Sequence, residues 1–207
     1  MPPALAHRRV LIAAVVSLLV FGSLIIIALT PALHGLDREL KLAIDGTRHP
    51  VLEVTMRTVT FLGDGSMLLL FTVATWLVLR RAGDRLARRL PVIMLGSAAT
   101  EWLLKWLVAR RRPRGGPFAF PSGHVFTSVV FFGLVIYLLW TRDVARPWRV
   151  SGTIVCGLLI VGIALSRMYL RFHWLTDVLG GLAGGAAYLL IALAIADRSA
   201  SAARDSA

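Results

Sequence analysis

Residues 10–30 read VLIAAVVSLLVFGSLIIIALT, without one charged side chain. A helix of about 20 such residues matches the hydrocarbon thickness of a bilayer. This run constrains the chain more than any other feature, and it recurs. Apolar stretches follow at about 66–79, 90–109, 124–140, 150–165 and 174–196, and the one at 90–109 carries only Glu101 and Lys105. The stretch at 66–79 is short unless it starts near Val59 and takes in Gly63-Asp64-Gly65. Arginine-rich segments separate the runs, and 57% of all residues are hydrophobic, against about 45–50% in an ordinary soluble domain. The expected fold is all-α: a polytopic membrane protein with a six-transmembrane-helix bundle. No linker divides it, so residues 1–207 form one membrane-integral domain, with a small polar tail at 199–207 expected to be disordered. The first run exceeds the roughly 7–15 residues of a signal h-region and no clean A-x-A site follows it, so it reads as a retained span.

The formal charge of +12 raises the question of nucleic acid. The arginines cap apolar runs rather than forming a stripe on a soluble face, so nucleic acid is not an expected partner. The expected partners read from this pattern are the bilayer and its anionic headgroups. With the N-terminus in the cytoplasm, the inside segments carry twelve Lys and Arg and the outside segments ten. The expected placement is the bacterial cytoplasmic membrane, both termini cytoplasmic. Cys156 is the sole cysteine, which leaves no disulfide and no cysteine-rich metal site. Between the first two spans, residues 36–44 alternate apolar and charged positions at helical spacing, as in a short helix lying at the interface.

The six-span layout brings ionisable residues to one side of the membrane, where they are costly and usually functional. Lys105 and Arg112 are seven residues apart, on one face if the helix continues that far, and Pro113 then stops it. Glu101, one turn before Lys105, is placed to pair with it. Pro121-Ser122-Gly123-His124 opens a helix whose free N–H groups suit an anion, with Ser122 a natural N-cap and Gly123 allowing close approach. Arg167 closes the fifth span. His173 and Asp177 are spaced i, i+4, so a carboxylate can fix the imidazole tautomer and leave the other nitrogen as a nucleophile toward phosphorus. The cations around these histidines repel a metal ion, so no metal and no cofactor are expected. H-E-x-x-H, G-x-S-x-G and P-loop motifs are absent.

Lys105-x6-Arg112-Pro113, Pro121-Ser122-Gly123-His124 and Ser166-Arg167-x5-His173-x3-Asp177 resemble, in order and internal spacing, the three-part signature of the type 2 phosphatidic acid phosphatase superfamily. The motif core spans 105–177. The resemblance implies a helical bundle with its site near the outer membrane surface. It implies His173 as the nucleophile forming a phosphohistidine, Asp177 orienting it, and His124 protonating the leaving oxygen and then activating water. Lys105, Arg112 and Arg167 would hold the phosphoryl oxygens, with Ser122 and the Gly123 amide adding donors. The signature also occurs in soluble vanadium-dependent haloperoxidases, from which six apolar spans set this chain apart. The implied substrates are lipid phosphates such as undecaprenyl diphosphate, phosphatidylglycerol phosphate and phosphatidic acid. A lipid-phosphate carrier or flippase is the alternative, but it needs the cations and not the His173–Asp177 pair with a second histidine. Gly180, Gly181, Gly184 and Gly185 form two overlapping G-x-x-x-G patterns. They are expected to serve packing within the bundle rather than a homodimer interface.

Overall fold

The computed structural model describes residues 3–205, and among these the chain is all-α, without a strand. Eight α-helices follow in order: α1 (Pro3–Leu29), α2 (Gly35–Asp45), α3 (Pro50–Phe61), α4 (Gly65–Arg81), α5 (Leu90–Val108), α6 (Gly123–Thr141), α7 (Arg146–Tyr169) and α8 (Leu175–Asp205). Helix α8 thus continues through most of the 199–207 tail, and residues 206–207 lie outside the described residues.

Four segments are long and apolar enough to cross a membrane: Arg8–Leu29, Gly123–Thr141, Arg146–Tyr169 and Leu175–Ala196. The pair α3–α4, bent by 44° at Leu62-Gly63-Asp64, makes a fifth if it forms one broken span. Helix α5, the remaining expected span, carries Glu101 and Lys105 in its second half and is not among them. Its Trp102 and Trp106 are exposed near one end of the bundle, and Trp140 and Trp148 are exposed near the other. Amphipathic rings at both ends of an apolar belt are the mark of two membrane–water interfaces.

Helix α6 is the centre of the bundle. Val125, Phe126, Val130 and Leu134 are fully or almost fully buried on it, and it packs against α7 on one side and α8 on the other. Helix α1 lies along α8, and α3 lies along α7. The approach of α8 to α6 depends on glycine. A Cβ at Gly181 would meet the Ser122 carbonyl oxygen at 2.8 Å, and one at Gly185 the Phe126 carbonyl oxygen at 2.7 Å. Gly180 faces the Phe120 ring, and Gly184 faces the rings of Phe21 and Phe126. All four glycines of the paired motif are therefore used inside the bundle. The end of α5, the start of α6, the end of α7 and the start of α8 meet at one end, beside the α3–α4 bend.

Candidate active site

At that end lies a cavity of about 480 Å³ lined by Arg57, Thr60, Phe61, Asp64, Lys105, Arg112, His124, Arg167, Leu170, Phe172 and His173. Five of the eight residues singled out from sequence line it. Asp177 sits directly behind, fully buried, while Ser122 and Gly123 lie beside the wall. Ser122 starts α6 without a side-chain cap, and its Oγ is buried and unpartnered; its N–H donates to the Asp177 carbonyl at 2.9 Å. Gly123 leaves room for the ends of two side chains: a Cβ there would run into Glu101 Oε1 and lie 2.8 Å from Lys105 Nζ. Lys105 and Glu101 form the ion pair expected from their spacing.

Arg112 arrives differently from the sequence expectation. Helix α5 ends at Val108 with Ala109 in the left-handed region (φ 46°), so Arg112 stands on a loop rather than on the continued helix face. The loop turns back on itself, with the Arg112 N–H donating to the Gly116 carbonyl at 2.9 Å. Arg167 lies in the last turn of α7 and donates to Thr60 Oγ1 at 3.0 Å. The Nε atoms of Arg112 and Arg167 are buried without a partner. Phe172 is held between two guanidiniums, Arg114 at 3.6 Å and Arg167 at 4.0 Å from its centroid. Burial, with Arg112 and Arg57 nearby, holds the Arg114 guanidinium below its ordinary pKa. Buried donors left free and cations crowded together suit an anion with several oxygens.

His173 is 3% exposed. Its Nδ1 lies 2.7 Å from the Ala119 carbonyl oxygen and 3.7 Å from Asp177 Oδ2. A carbonyl only accepts, so Nδ1 carries the proton and Nε2 keeps the lone pair. The tautomer is thus set first by a backbone oxygen, with the carboxylate as a near charge. Burial pushes the imidazole pKa down to about 4; Asp177 pulls it up, and Arg167 and Lys105 push it down. The ring is therefore neutral and nucleophilic at ordinary pH. His124 Nε2 lies 3.7 Å from Asp64 Oδ2. Asp64 caps α4 at the bend by accepting from the Ser66 N–H at 3.0 Å.

Asp177 is engaged elsewhere. Its Oδ2 accepts from the Trp174 N–H at 2.8 Å, and its Oδ1 from Arg110 Nη1 at 2.7 Å. Arg110 Nη2 in turn donates to Asp37 Oδ2 of α2 at 2.6 Å. Arg110 belongs to the arginine-rich segment after α5, and Asp37 to α2, the helix expected to lie at the interface; both are buried. Their partners are 67 to 139 residues away, and no local spacing reports such a pairing. Asp64 and Thr60 were also missed as cavity residues. The Gly63-Asp64-Gly65 break was the available signal.

The PAP2 superfamily model matches residues 114–200, taking in the second and third parts of the signature. Phosphatidylglycerophosphatase B of Bacillus subtilis is 30% identical over 182 residues, 82% of this chain and 88% of that protein. YbjG of Escherichia coli, provisionally named an undecaprenyl-diphosphatase, is 31% identical over 127 residues, 56% of this chain and 60% of that one. The crystal structure of a transmembrane PAP2-type phosphatidylglycerolphosphate phosphatase from Bacillus subtilis superposes with a TM-score of 0.80 at 25% identity, covering 89% of this chain and 96% of that one. A relative matched along nearly its whole length, a shared fold and three motifs gathered around one cavity lead to one conclusion: the chain belongs to the PAP2 superfamily.

Proposed function

We propose that the chain is a membrane-integral phosphatase of lipid phosphates, monoesters or diphosphates, working through a phosphohistidine at His173. The observation that carries this reading is the neutral His173 imidazole on the wall of a cavity that also holds Lys105, Arg112, Arg167 and a second imidazole, His124.

In the first step His173 Nε2 attacks phosphorus and the bond from phosphorus to the leaving oxygen breaks. His124, protonated once the anionic phosphate sits beside it, gives that oxygen its proton. Lys105, Arg112 and Arg167 stabilise the charge gathering on the three equatorial oxygens. The phosphohistidine ring is cationic, and the Asp177 carboxylate at 3.7 Å offsets that charge. In the second step neutral His124 takes a proton from water, the hydroxide attacks phosphorus, and the N–P bond breaks to release phosphate. Protons balance over the two steps, and the three side-chain cations carry the electrostatic work that a metal does elsewhere.

The fold reads as one membrane domain with six crossings once α5 and the bent α3–α4 pair are each counted as a span. An even number puts both termini on one side, which this reading takes to be the cytoplasm, so that the cavity faces out. The substrates named for the relatives, phosphatidylglycerol phosphate and undecaprenyl diphosphate, share with phosphatidic acid a terminal phosphate on a membrane lipid, and each fits the same chemistry. Purified protein in detergent, given these three lipids side by side with EDTA present, should release inorganic phosphate from at least one. Binding without release would identify a carrier, and activity lost to EDTA and restored by magnesium would sink the mechanism.

A further inference from the structure

We propose that Arg110 is a positioning residue for this reaction: clamped between Asp37 of α2 and Asp177 of α8, it fixes the two groups that face His173 Nδ1. The inference rests on the reading of His173 as nucleophile. It concerns a residue outside the cavity wall.

The clamp is built from short contacts among buried groups. Arg110 is 7% exposed, Asp37 2% and Asp177 0%. The guanidinium donates from Nη2 to Asp37 Oδ2 at 2.6 Å and from Nη1 to Asp177 Oδ1 at 2.7 Å, and Nη1 also reaches Thr176 Oγ1. Thr176 closes the ring, its N–H donating to Asp37 Oδ1 at 2.9 Å and its hydroxyl to Asp37 Oδ2 at 2.7 Å. Two buried carboxylates thus share one guanidinium, and Asp37 alone also takes both donors of Thr176. A planar fork with fixed donor directions suits such bridging, and an ammonium does not.

Arg110 acts on His173 by two routes. Through its side chain it engages one oxygen of Asp177 while the Trp174 N–H engages the other, so the carboxylate stays 3.7 Å from Nδ1. Through its backbone carbonyl it accepts from the Ala119 N–H at 2.8 Å, and the Ala119 carbonyl is the acceptor for His173 Nδ1. Asp37 completes the device. It offsets part of the Arg110 charge, which would otherwise fall wholly on Asp177, and it ties α2 behind the His173 ring, outside the cavity.

Other charged groups face His173: Lys105 of α5, Arg112 of the loop after it, His124 of α6 and Arg167 of α7, with Asp64 across the cavity and Lys41 of α2 behind the ring, paired to Asp45. Each remains in place when the clamp is cut. Loss of the Arg110 charge frees Asp177 to close on Nδ1 and removes a nearby cation. Both changes favour the protonated ring, so its pKa rises. Neutralising Asp37 leaves the unchanged Arg110 charge facing Asp177 alone, so the His173 pKa does not rise. A merely structural ion pair makes no such signed distinction.

The test uses full-length protein in detergent and an aryl phosphate, following the burst of aryl alcohol, which reads phosphorylation of His173, against pH. In Arg110→Gln the acidic limb of the burst rate should move up by about one unit or more. Its burst rate at neutral pH should fall by about tenfold or more, with KM changed less than about threefold. In Asp37→Asn the limb should stay at or below the wild-type position. Arg110→Lys should restore part of the burst rate. A folded Arg110→Gln protein with the wild-type limb and rate would overturn the inference. Should Arg110→Gln fail to fold, a limb that rises in Asp37→Asn, or an Arg110→Lys protein whose limb and rate equal wild type, overturns it. A wild-type enzyme in which rapid acid-free quenching during turnover of a 32P-labelled substrate traps no phosphate on His173 would instead refute the phosphohistidine reading itself.

Discussion

His173 shows how far a residue's chemistry can be read from its neighbours in sequence. The i, i+4 carboxylate was legible, and it does lie beside the ring, at 3.7 Å. The group that holds the proton on Nδ1 was not, because the Ala119 acceptor is a backbone oxygen, which no side-chain pattern marks. Arg110 and Asp37 were illegible for a second reason. Each looks like an ordinary surface charge until the fold buries it against a partner far away in the chain. The same residues separate the two histidines experimentally. His173→Ala should form no phosphoenzyme on any substrate. His124→Ala keeps the nucleophile but loses proton donation, worth about 10²–10⁴-fold for a poor leaving group. An aryl oxygen departs without that proton, so His124→Ala should give a burst of aryl alcohol followed by slow turnover. A burst in His173→Ala, measured by stopped flow, would mean the two roles are exchanged.

Helices were more legible than their contacts. Apolar runs located α1, α6, α7 and α8, since a bilayer selects for length and polarity and both are written locally. The 44° bend between α3 and α4 was visible only as a Gly-Asp-Gly break in a short span, and the end of α5 matched the end of the apolar run at 109, while the left-handed turn of Ala109 was not visible. Pro113 suggested a later end, but a left-handed alanine came first. What the elements do for the site can be tested at Gly123, where α6 meets α5. A methyl group there would collide with Glu101 Oε1 and crowd Lys105 Nζ. Gly123→Ala should therefore displace the Lys105–Glu101 pair, raising KM and lowering kcat together. Oε1 and Nζ end flexible side chains that can move aside, so the melting temperature in detergent should change little. Kinetics identical to wild type would show that Lys105 is not held where the cavity needs it.

At the scale of the whole molecule, the single cysteine makes topology directly measurable. With Cys156→Ala as background, a cysteine placed within 110–120 should react on intact cells with a membrane-impermeant reagent, and one within 80–89 should not. Reaction of the second set would invert the proposed orientation. Arginine counts of twelve and ten leave this nearly undecided in sequence terms. The structure explains why: Arg110, Arg112 and Arg167 are spent on the site, so they say little about which side the chain was inserted from.

The crowding of guanidiniums around the cavity has a consequence for regulation by supply. Lys105, Arg112 and Arg167, with Arg57 and Arg114 near the mouth, do not distinguish the phosphoryl group of an ester from the free ion once the lipid has left. On the function proposed above, the released phosphate leaves through the same cationic mouth and competes there with the next headgroup. The phosphate concentration on that side of the membrane would then set how fast the pocket clears, and phosphate added to the purified protein should inhibit in competition with the lipid.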